Sequence, residues 1–152
     1  MHKKLLALIL SLALCAGSAW PVISQAPPNA MVKQRQAAMT LLAKYYGPLA
    51  AMADGKAPLN KEVMARNAGY LDALSRMPWD GFAASTAAEK SRVLPAAYSE
   101  PAKFRSAQDE FIAAVANLLS LSKGGDGAAV KNAVGTVGET CGGCHKSFRQ
   151  PS

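Results

Sequence analysis

A short segment near the end of the chain has residue types and spacing that predict its chemistry. Cys141 and Cys144 stand three residues apart, and His145 follows directly. This is the attachment pattern of a c-type haem, in which the cysteine sulfurs add across the vinyl groups and the imidazole becomes an axial iron ligand. On a helix, Cys144 lies roughly 60° and His145 roughly 40° around the axis from Cys141. All three side chains therefore reach one edge and one face of a single macrocycle.

Two other uses of paired cysteines fit the sequence poorly. A redox motif of the thioredoxin type would follow a β-strand, and no strand pattern precedes Cys141. A structural zinc site needs four Cys or His ligands, whereas beyond the first twenty residues the chain has only Cys141, Cys144 and His145. The motif therefore predicts one haem c, held covalently through Cys141 and Cys144.

The start of the chain has the organisation of a secretory signal peptide. Lys3 and Lys4 form a basic start, an apolar run covers residues 5–16, and small residues occupy positions 17–19. The run is too short to span a bilayer comfortably, and no later stretch is apolar enough to cross one. These features predict export to the periplasm and no membrane insertion after cleavage. Covalent haem attachment outside the cytoplasm agrees with this location.

Signal cleavage is expected after Ala19, with cleavage after Ala26 as the second option. Residues 1–19 are then the signal peptide, and residues 20–152 have the size of one haem domain. The full chain has a formal net charge of +7, of which the signal carries two charges. Its remaining lysines are scattered and its aromatic residues are few, so a nucleic-acid-binding stripe is excluded. The positive surface suits solubility and the steering of acidic redox partners.

Helical periodicity appears four times along the chain, and no strand-like alternation is found. The first helical segment runs from about residue 29 to 46, and Gly47-Pro48 is expected to break or kink it. The second has Asn60 as its cap and ends before Pro78. One stripe of the first segment carries Val32, Arg35, Met39, Leu42 and Tyr46. The predicted buried face of the second consists of Val63, Tyr70, Leu74 and Met77.

The last two segments are separated by a glycine-rich turn at residues 124–127. The third begins near Ser99, and Asp126 is expected to cap the fourth. One face of the third carries Phe104, Phe111, Val115, Leu118 and Ser122. The apolar positions of the fourth recur in steps of four and three, at Val130, Val134, Val137, Cys141, Cys144 and Phe148. This pattern is typical of a bundle seam.

The seam also places the cofactor. Because both cysteines occupy core positions, the haem must lie inside the bundle, along the C-terminal helix. The sequence therefore predicts an all-α fold, an antiparallel up-down-up-down four-helix bundle with the haem inside. A long connection between residues 78 and 99 interrupts the pattern, and such loops in compact domains are often functional. It contains Trp79, Phe82, Pro95 and Tyr98.

With the haem motif at its C-terminal end, nearly all of the mature chain resembles a cytochrome c′, a class II c-type cytochrome. The resemblance rests on Arg35-Gln36, Met39, Pro78-Trp79, Phe82, Phe104, Phe111 and the CxxCH motif followed by Arg149. Class I cytochromes c instead carry this motif near their start and find a methionine ligand downstream. Here only seven residues follow His145 and none is methionine, which excludes that architecture.

The resemblance implies roles for individual residues. Cys141 and Cys144 would form the haem thioethers, His145 would be the proximal iron ligand, and Arg149 matches the family's proximal-side arginine. The matching positions that contact the haem and its propionates are Arg35 and Gln36, and Arg92 in the long connection is a weaker candidate for a propionate. Tyr98 stands where the family often has tryptophan.

The sixth coordination position of the iron has two interpretations. His2 leaves with the signal peptide, so His145 is the single histidine of the mature chain and bis-histidine coordination is excluded. Met39 matches the residue facing the distal side of the haem. In the resembling cytochromes c′ a bulky apolar residue there leaves the iron five-coordinate, whereas in their low-spin relatives a methionine of the same helix ligates it. The whole-chain resemblance favours five-coordinate iron.

The function implied by the resemblance is one-electron transfer together with binding of NO and CO at an apolar distal face. A dedicated electron carrier with Met39 as sixth ligand is the alternative. A small haem enzyme, either a peroxidase or a nitric oxide reductase, is the competing class. A distal histidine or arginine would have favoured it, and the sequence has no acid–base pair or activated nucleophile, so we expect no enzyme. The resemblance further implies periplasmic redox partners and a homodimer formed through the first two helices.

Overall fold

The computed structural model describes residues 26–124 and 126–151, and the predicted signal peptide lies outside them. Four long helices are α1 (Pro28–Ala53), α2 (Lys61–Ser75), α3 (Pro101–Gly124) and α4 (Gly127–Phe148). Between α2 and α3 the chain forms two short 3-10 turns, Trp79–Phe82 and Ala84–Thr86, and one turn of α-helix, Ala96–Ser99. None of the helices described is long and apolar enough to cross a membrane.

The four helices form the predicted all-α, up-down-up-down bundle. Each packs against its neighbour in the chain, and α1 also packs against α4, which closes the ring. Because α2 begins soon after α1 ends, and α4 soon after α3 ends, each of these pairs must be antiparallel. All four helices contribute to the core, whose largest fully buried side chains include Leu49, Leu71, Val115, Leu118, Val134 and Val137.

Helix α1 is longer than its sequence pattern predicts. Gly47-Pro48 was expected to break or kink the helix, and the break is wrong, because the helix continues through Pro48 to Ala53. A proline inside a helix removes one backbone hydrogen bond and crowds the preceding turn. Beyond it, however, Leu49 is fully buried and Met52 is only 5% exposed. Burial of these two side chains in the core offsets the local cost of the proline.

Helix α2 begins as predicted but buries a different face. Its cap is confirmed, since the backbone N–H of Val63 donates to the Asn60 side chain at 2.9 Å. Tyr70 and Met77 were predicted to be buried, and this is wrong: they are 45% and 60% exposed. Met77 lies beyond the helix end, and the Tyr70 ring packs on Tyr45 at the outer edge of the α1–α2 interface. The face that packs into the bundle carries Met64, Asn67, Ala68, Leu71 and Ser75.

Helices α3 and α4 carry the predicted seams. In α3 the central positions are buried, whereas Phe104 and Ser122 near the ends are partly exposed. The predicted cap of α4 is confirmed, because Asp126 accepts hydrogen bonds from the backbone N–H groups of Ala128 at 3.0 Å and Ala129 at 3.3 Å. Val130, Val134, Val137 and Phe148 are buried. The two cysteines of the seam are only partly buried, because they line a cavity.

Candidate haem site

An elongated cleft separates the C-terminal half of α4 from α1. Toward the surface it forms a cavity of about 460 Å³, and deeper in the bundle it forms a second cavity of about 150 Å³. We call these the outer and inner cavities; they share five wall residues, Met39, Ala43, Trp79, Cys144 and His145. Their combined size falls in the range of cofactor sites. The cleft is lined by all eight residues singled out in the sequence, Arg35, Gln36, Met39, Arg92, Cys141, Cys144, His145 and Arg149.

One wall of the cleft is the last two turns of α4. Cys141 and Cys144 are free thiols there, and His145 lies beside them. Burial, and to a lesser extent the neighbouring Cys144, raises the pKa of Cys141 to about 11, and burial also raises the pKa of Cys144. Burial and then the charge of Arg149 lower the pKa of His145. Near neutral pH this wall therefore presents two thiols and a neutral imidazole, the form in which histidine ligates a metal.

The opposite wall is one stripe of α1. Arg35, Met39, Leu42 and Tyr46 recur along it at helical spacing and all line the cleft. Met39 is partly buried and lines both cavities, as does His145 on the facing helix. Gln36 is exposed at the rim of the outer cavity. The sequence stripe thus faces the haem motif across the cleft.

The inner cavity offers no free hydrogen-bond donor from its hydroxyl and indole groups. The Tyr46 hydroxyl donates to the carbonyl of Val134 at 3.1 Å. The Thr140 hydroxyl donates to the carbonyl of Val137 at 2.9 Å, and the Trp79 indole donates to that of Ser75 at 2.7 Å. The remaining wall is aliphatic, aromatic or sulfur-containing, apart from His145. The inner cavity is therefore apolar although polar side chains line it.

Aromatic rings from the long connection, from α3 and from the end of α4 close the cleft on a third side. The ring centroids of Phe82 and Phe104 lie 4.8 Å apart, and that of Phe148 lies 5.2 Å from Phe104. Trp79 stands 6.0 Å from Phe82 and 6.3 Å from Phe111. Such clusters favour tilted and edge-on contacts and bury a large apolar area. They give the cleft an apolar wall.

The end of α4 is tied to the long connection by a short backbone ladder. Val93 forms an antiparallel bridge with Arg149. The N–H of Leu94 donates to the carbonyl of Phe148 at 2.9 Å, and that of Gln150 to the carbonyl of Arg92 at 2.8 Å. The Arg92 guanidinium also donates to the carbonyl of Gln150 at 2.8 Å. This ladder holds Arg92 and Arg149 at the rim of the outer cavity.

Arg35 provides a test of whether the cleft fits a haem. Its side chain is 3% exposed, yet among the described residues no carboxylate pairs with it, and its Nη2 atom has no hydrogen-bond partner. A buried cation without a counter-charge is costly. Haem is a flat apolar macrocycle with two anionic propionates and would supply that counter-charge. Two thiols, one imidazole, an apolar cleft and an orphaned guanidinium thus match its chemistry.

The sequence did not reveal the roles of four residues that shape this site, although Tyr46 and Tyr98 stand out in its pattern. Thr86 and Tyr98 hydrogen-bond to Arg35 from the long connection, and Tyr46 and Thr140 turn their hydroxyls away from the inner cavity. For Tyr98 the signal was its place in a long aromatic loop. For Thr86 the sequence holds no signal, because the contact joins residues 51 positions apart.

Proteins of one known family are similar to this chain over most of its length. A sequence model of the cytochrome c′ family matches residues 30–149. The cytochrome c′ of Rubrivivax gelatinosus is 40% identical over 124 residues, which is 81% of this chain and 96% of that protein. Its crystal structure superposes with a TM-score of 0.80, covering 84% of this chain and all of the other.

Solved relatives include complexes with small gases. A variant of the cytochrome c′ from Alcaligenes xylosoxidans with bound NO is 30% identical, with a TM-score of 0.78 over 85% of this chain and 100% of that one. A CO-bound variant of the same protein is 31% identical, with a TM-score of 0.78 over 84% and 100% of the two chains. The family model spans α1 to the end of α4 and includes the whole CxxCH motif. This chain therefore belongs to the cytochrome c′ family, whose members carry a covalently bound haem c.

Proposed function

We propose that this chain is a periplasmic haem protein that binds NO and CO at a five-coordinate iron and transfers single electrons. Residues 1–19 would be removed as a signal peptide, which leaves residues 20–152 as the mature domain. The observation that carries the proposal is the apolar inner cavity beside His145, in which every hydroxyl and indole donor is already bonded to a backbone carbonyl. The NO and CO complexes of relatives support it.

Residues of α4 would hold the cofactor. Cys141 and Cys144 would form its two thioether bonds, and the neutral imidazole of His145 would be the proximal ligand. The lowered pKa of His145 favours that neutral form. When bound, haem c supplies an iron that cycles between the ferric and ferrous states and accepts a diatomic ligand. Arg149, one turn after His145, would place a positive charge on the proximal side.

The opposite wall would select the ligand. Met39 would pack over the distal face, and the surrounding aliphatic and aromatic groups exclude water. Without a free donor, the cavity gives no hydrogen bond to bound O₂ or to an anion. Neutral NO and CO need no such bond, so steric fit and polarity would discriminate in their favour.

Arginines at the rim would bind the propionates. Arg35 is the strongest candidate, since it is buried in the wall of the outer cavity without a counter-charge. Gln36 would contact the same edge of the haem, and Arg92 lies across the rim in the backbone ladder. These charges would hold the polar edge of the macrocycle at the mouth of the cleft.

We propose that the protein is a carrier and gas binder, not an enzyme. Peroxide or nitric oxide turnover on haem needs a distal group that moves protons. In the described residues, His145 is the only titratable side chain of the inner cavity besides the two thiols and the Tyr46 hydroxyl, whose pKa burial raises further. None of these is a free acid–base group on the side of Met39.

The Met39→Ala variant tests the state of the iron. If Met39 only packs over the distal face, the ferrous parent is high-spin with a broad visible band and binds CO readily. Shortening the side chain then enlarges the cavity, so CO should bind faster, while the spectrum without CO stays unchanged. Absorption spectroscopy and stopped-flow CO binding measure both effects. Met77→Ala, a change at an exposed methionine outside both cavities, is the matched control.

The opposite result is equally clear. Sharp, split low-spin bands in the ferrous parent that disappear in Met39→Ala would mean that Met39 ligates the iron. CO binding to the parent would then be slow, because the methionine must leave first. The five-coordinate proposal would be wrong, and the chain would be a dedicated electron carrier.

We further propose a homodimer formed through α1 and α2. The four large apolar side chains that are exposed in the described residues all lie on these helices or within two positions of α2: Leu41, Leu59, Tyr70 and Met77. A dimer that uses the surface of α1 and α2 would cover apolar side chains that are otherwise exposed to water.

Sedimentation at micromolar concentration should therefore give twice the mass of the mature chain. Leu41→Glu, which places a charge on that surface, should give a monomer. Ala113→Glu, an exposed change on the far helix α3, should remain a dimer. A parent that sediments as a monomer contradicts this proposal.

A further inference from the structure

The Arg35 guanidinium is fixed by contacts on one side only. Its Nη1 atom donates to the carbonyl of Gly81, to the Tyr98 hydroxyl at 3.2 Å and, more weakly, to the Thr86 hydroxyl at 3.4 Å. Both hydrogens of Nη1 are thereby used. The Phe82 ring packs on the guanidinium, with its centroid 4.7 Å from the central carbon. Nη2 is buried and has no hydrogen-bond partner.

The Tyr98 and Thr86 hydroxyls are linked by hydrogen bonds whose donors and acceptors can be assigned. Thr86 is fully buried and donates to the carbonyl of Ala83 at 2.7 Å. Its oxygen lies 3.1 Å from the Tyr98 hydroxyl, so Tyr98 donates its proton to Thr86 and accepts from Arg35. Tyr98 therefore donates one bond and accepts one, while Thr86 donates one and accepts from Tyr98 and, more weakly, from Arg35. The two hydroxyls are therefore not free to turn toward the cleft and take the place of the guanidinium there.

The hydroxyls come from a different region of the fold than the arginine. Arg35 belongs to α1, Thr86 to a 3-10 turn and Tyr98 to the helical turn Ala96–Ser99. A long, flexible arginine side chain loses rotamer freedom when it is held in one geometry. Bonds from two further segments provide that constraint before the anion binds, and a pre-organised cation binds its partner more strongly.

We propose that Tyr98 and Thr86 are positioning residues that saturate Nη1 of Arg35 and leave its remaining donors for a haem propionate. The proposal rests on the proposed function, in which Arg35 pairs with that propionate. A correctly placed guanidinium keeps the propionate ionised, because an opposite charge lowers the pKa of a carboxylic acid. Loss of either hydroxyl would let the guanidinium turn, and the pKa of the propionate would rise.

The pH dependence of the haem midpoint potential measures this effect in the holoprotein. The potential falls as the propionate ionises, because the negative charge stabilises ferric iron, and the inflection marks the propionate pKa. Tyr98→Phe and Thr86→Val should each move the inflection upward by about half a unit to one unit, a roughly three- to tenfold change in the dissociation constant. The other charged or titratable groups of the outer cavity are Arg92, His145, Arg149 and Cys144, whose thiol would be used in a thioether bond, and all are unchanged in both variants.

Control variants distinguish the loss of Arg35 positioning from general damage to the fold. Thr86→Ser keeps the hydroxyl and should keep the parent inflection. Tyr70→Phe removes an exposed hydroxyl outside the cleft and should also leave it in place. Tyr98→Phe added to Arg35→Gln should shift the inflection no further than Arg35→Gln alone, since the hydroxyl acts only through the arginine.

The same variants test separately whether Arg35 pairs with the propionate and whether Tyr98 and Thr86 position Arg35. If Arg35→Gln leaves the inflection in place, the propionate pairing in the proposed function is wrong. If Arg35→Gln raises it while Tyr98→Phe and Thr86→Val do not, the pairing stands and the positioning role is overturned. Urea unfolding of each variant, measured in parallel, identifies any loss of stability, which by itself would not move the inflection.

Discussion

Replacing both cysteines of the motif should convert the protein from one that retains its haem in acidified organic solvent to one that loses it. In the parent, thioether bonds at Cys141 and Cys144 survive denaturation of the bundle, because they are covalent. In Cys141→Ala/Cys144→Ala only the bond from His145 and the apolar contacts of the cleft remain. Acid protonates the imidazole and the solvent dissolves the contacts, so extraction should be complete. The absorbance of the organic phase measures it.

Matched variants make this result specific. Each single change, Cys141→Ala or Cys144→Ala, leaves one thioether and should retain the haem. Ser147→Ala changes an exposed residue of the same helix turn and should behave as the parent does. Free extraction of haem from the parent would contradict the attachment outright. In the double variant a haem that escapes leaves an apolar cavity, so the free energy of unfolding should fall as well.

The site was more predictable from the sequence than the packing around it. The CxxCH motif is a stereochemical requirement contained in five consecutive residues, so its chemistry needs no knowledge of the fold. The two helix caps are equally local: Asn60 and Asp126 each bond to backbone N–H groups within three positions. The four-helix arrangement followed from periodicity, since each stripe must be covered by another helix.

The predictions that were wrong depended on contacts between distant segments. Pro48 looked like a helix break because its local cost is visible in sequence, whereas burial of Leu49 against the other helices is not. On α2 the pattern is ambiguous, since apolar residues occupy two adjacent stripes; packing against α3 selected the one with Met64 and Leu71, and Tyr70 stayed outside. Tertiary contact overrode local preference in both places.

The close approach between α1 and the 3-10 turn at Gly81 is a second long-range feature that the sequence does not reveal. A Cβ atom added to Gly81 would lie 2.6 Å from the Cβ of Arg35 and 2.8 Å from the carbonyl oxygen of Met31. The latter is backbone and cannot rotate away. The φ angle of Gly81 is not positive, so an alanine there is unfavourable only because of this contact. Glycine lets the turn pack on α1 and present its carbonyl to Arg35.

Gly81→Ala should therefore reduce the free energy of unfolding by about 1–3 kcal/mol, the usual cost of overpacking a closely packed site. Gly135→Ala is the matched control: it makes the same change in the middle of α4, where an added Cβ meets nothing within 4 Å. Alanine is the better helix former, so this variant should gain about 0.5–1 kcal/mol. Urea unfolding of the three holoproteins should thus give midpoints that decrease in the order Gly135→Ala, parent, Gly81→Ala.

The same clash pushes away the carbonyl that binds Arg35. Gly81→Ala should therefore also raise the pH of the inflection in the midpoint potential, whereas Gly135→Ala should not. Equal stability of Gly81→Ala and the parent would contradict the close contact between the turn and α1.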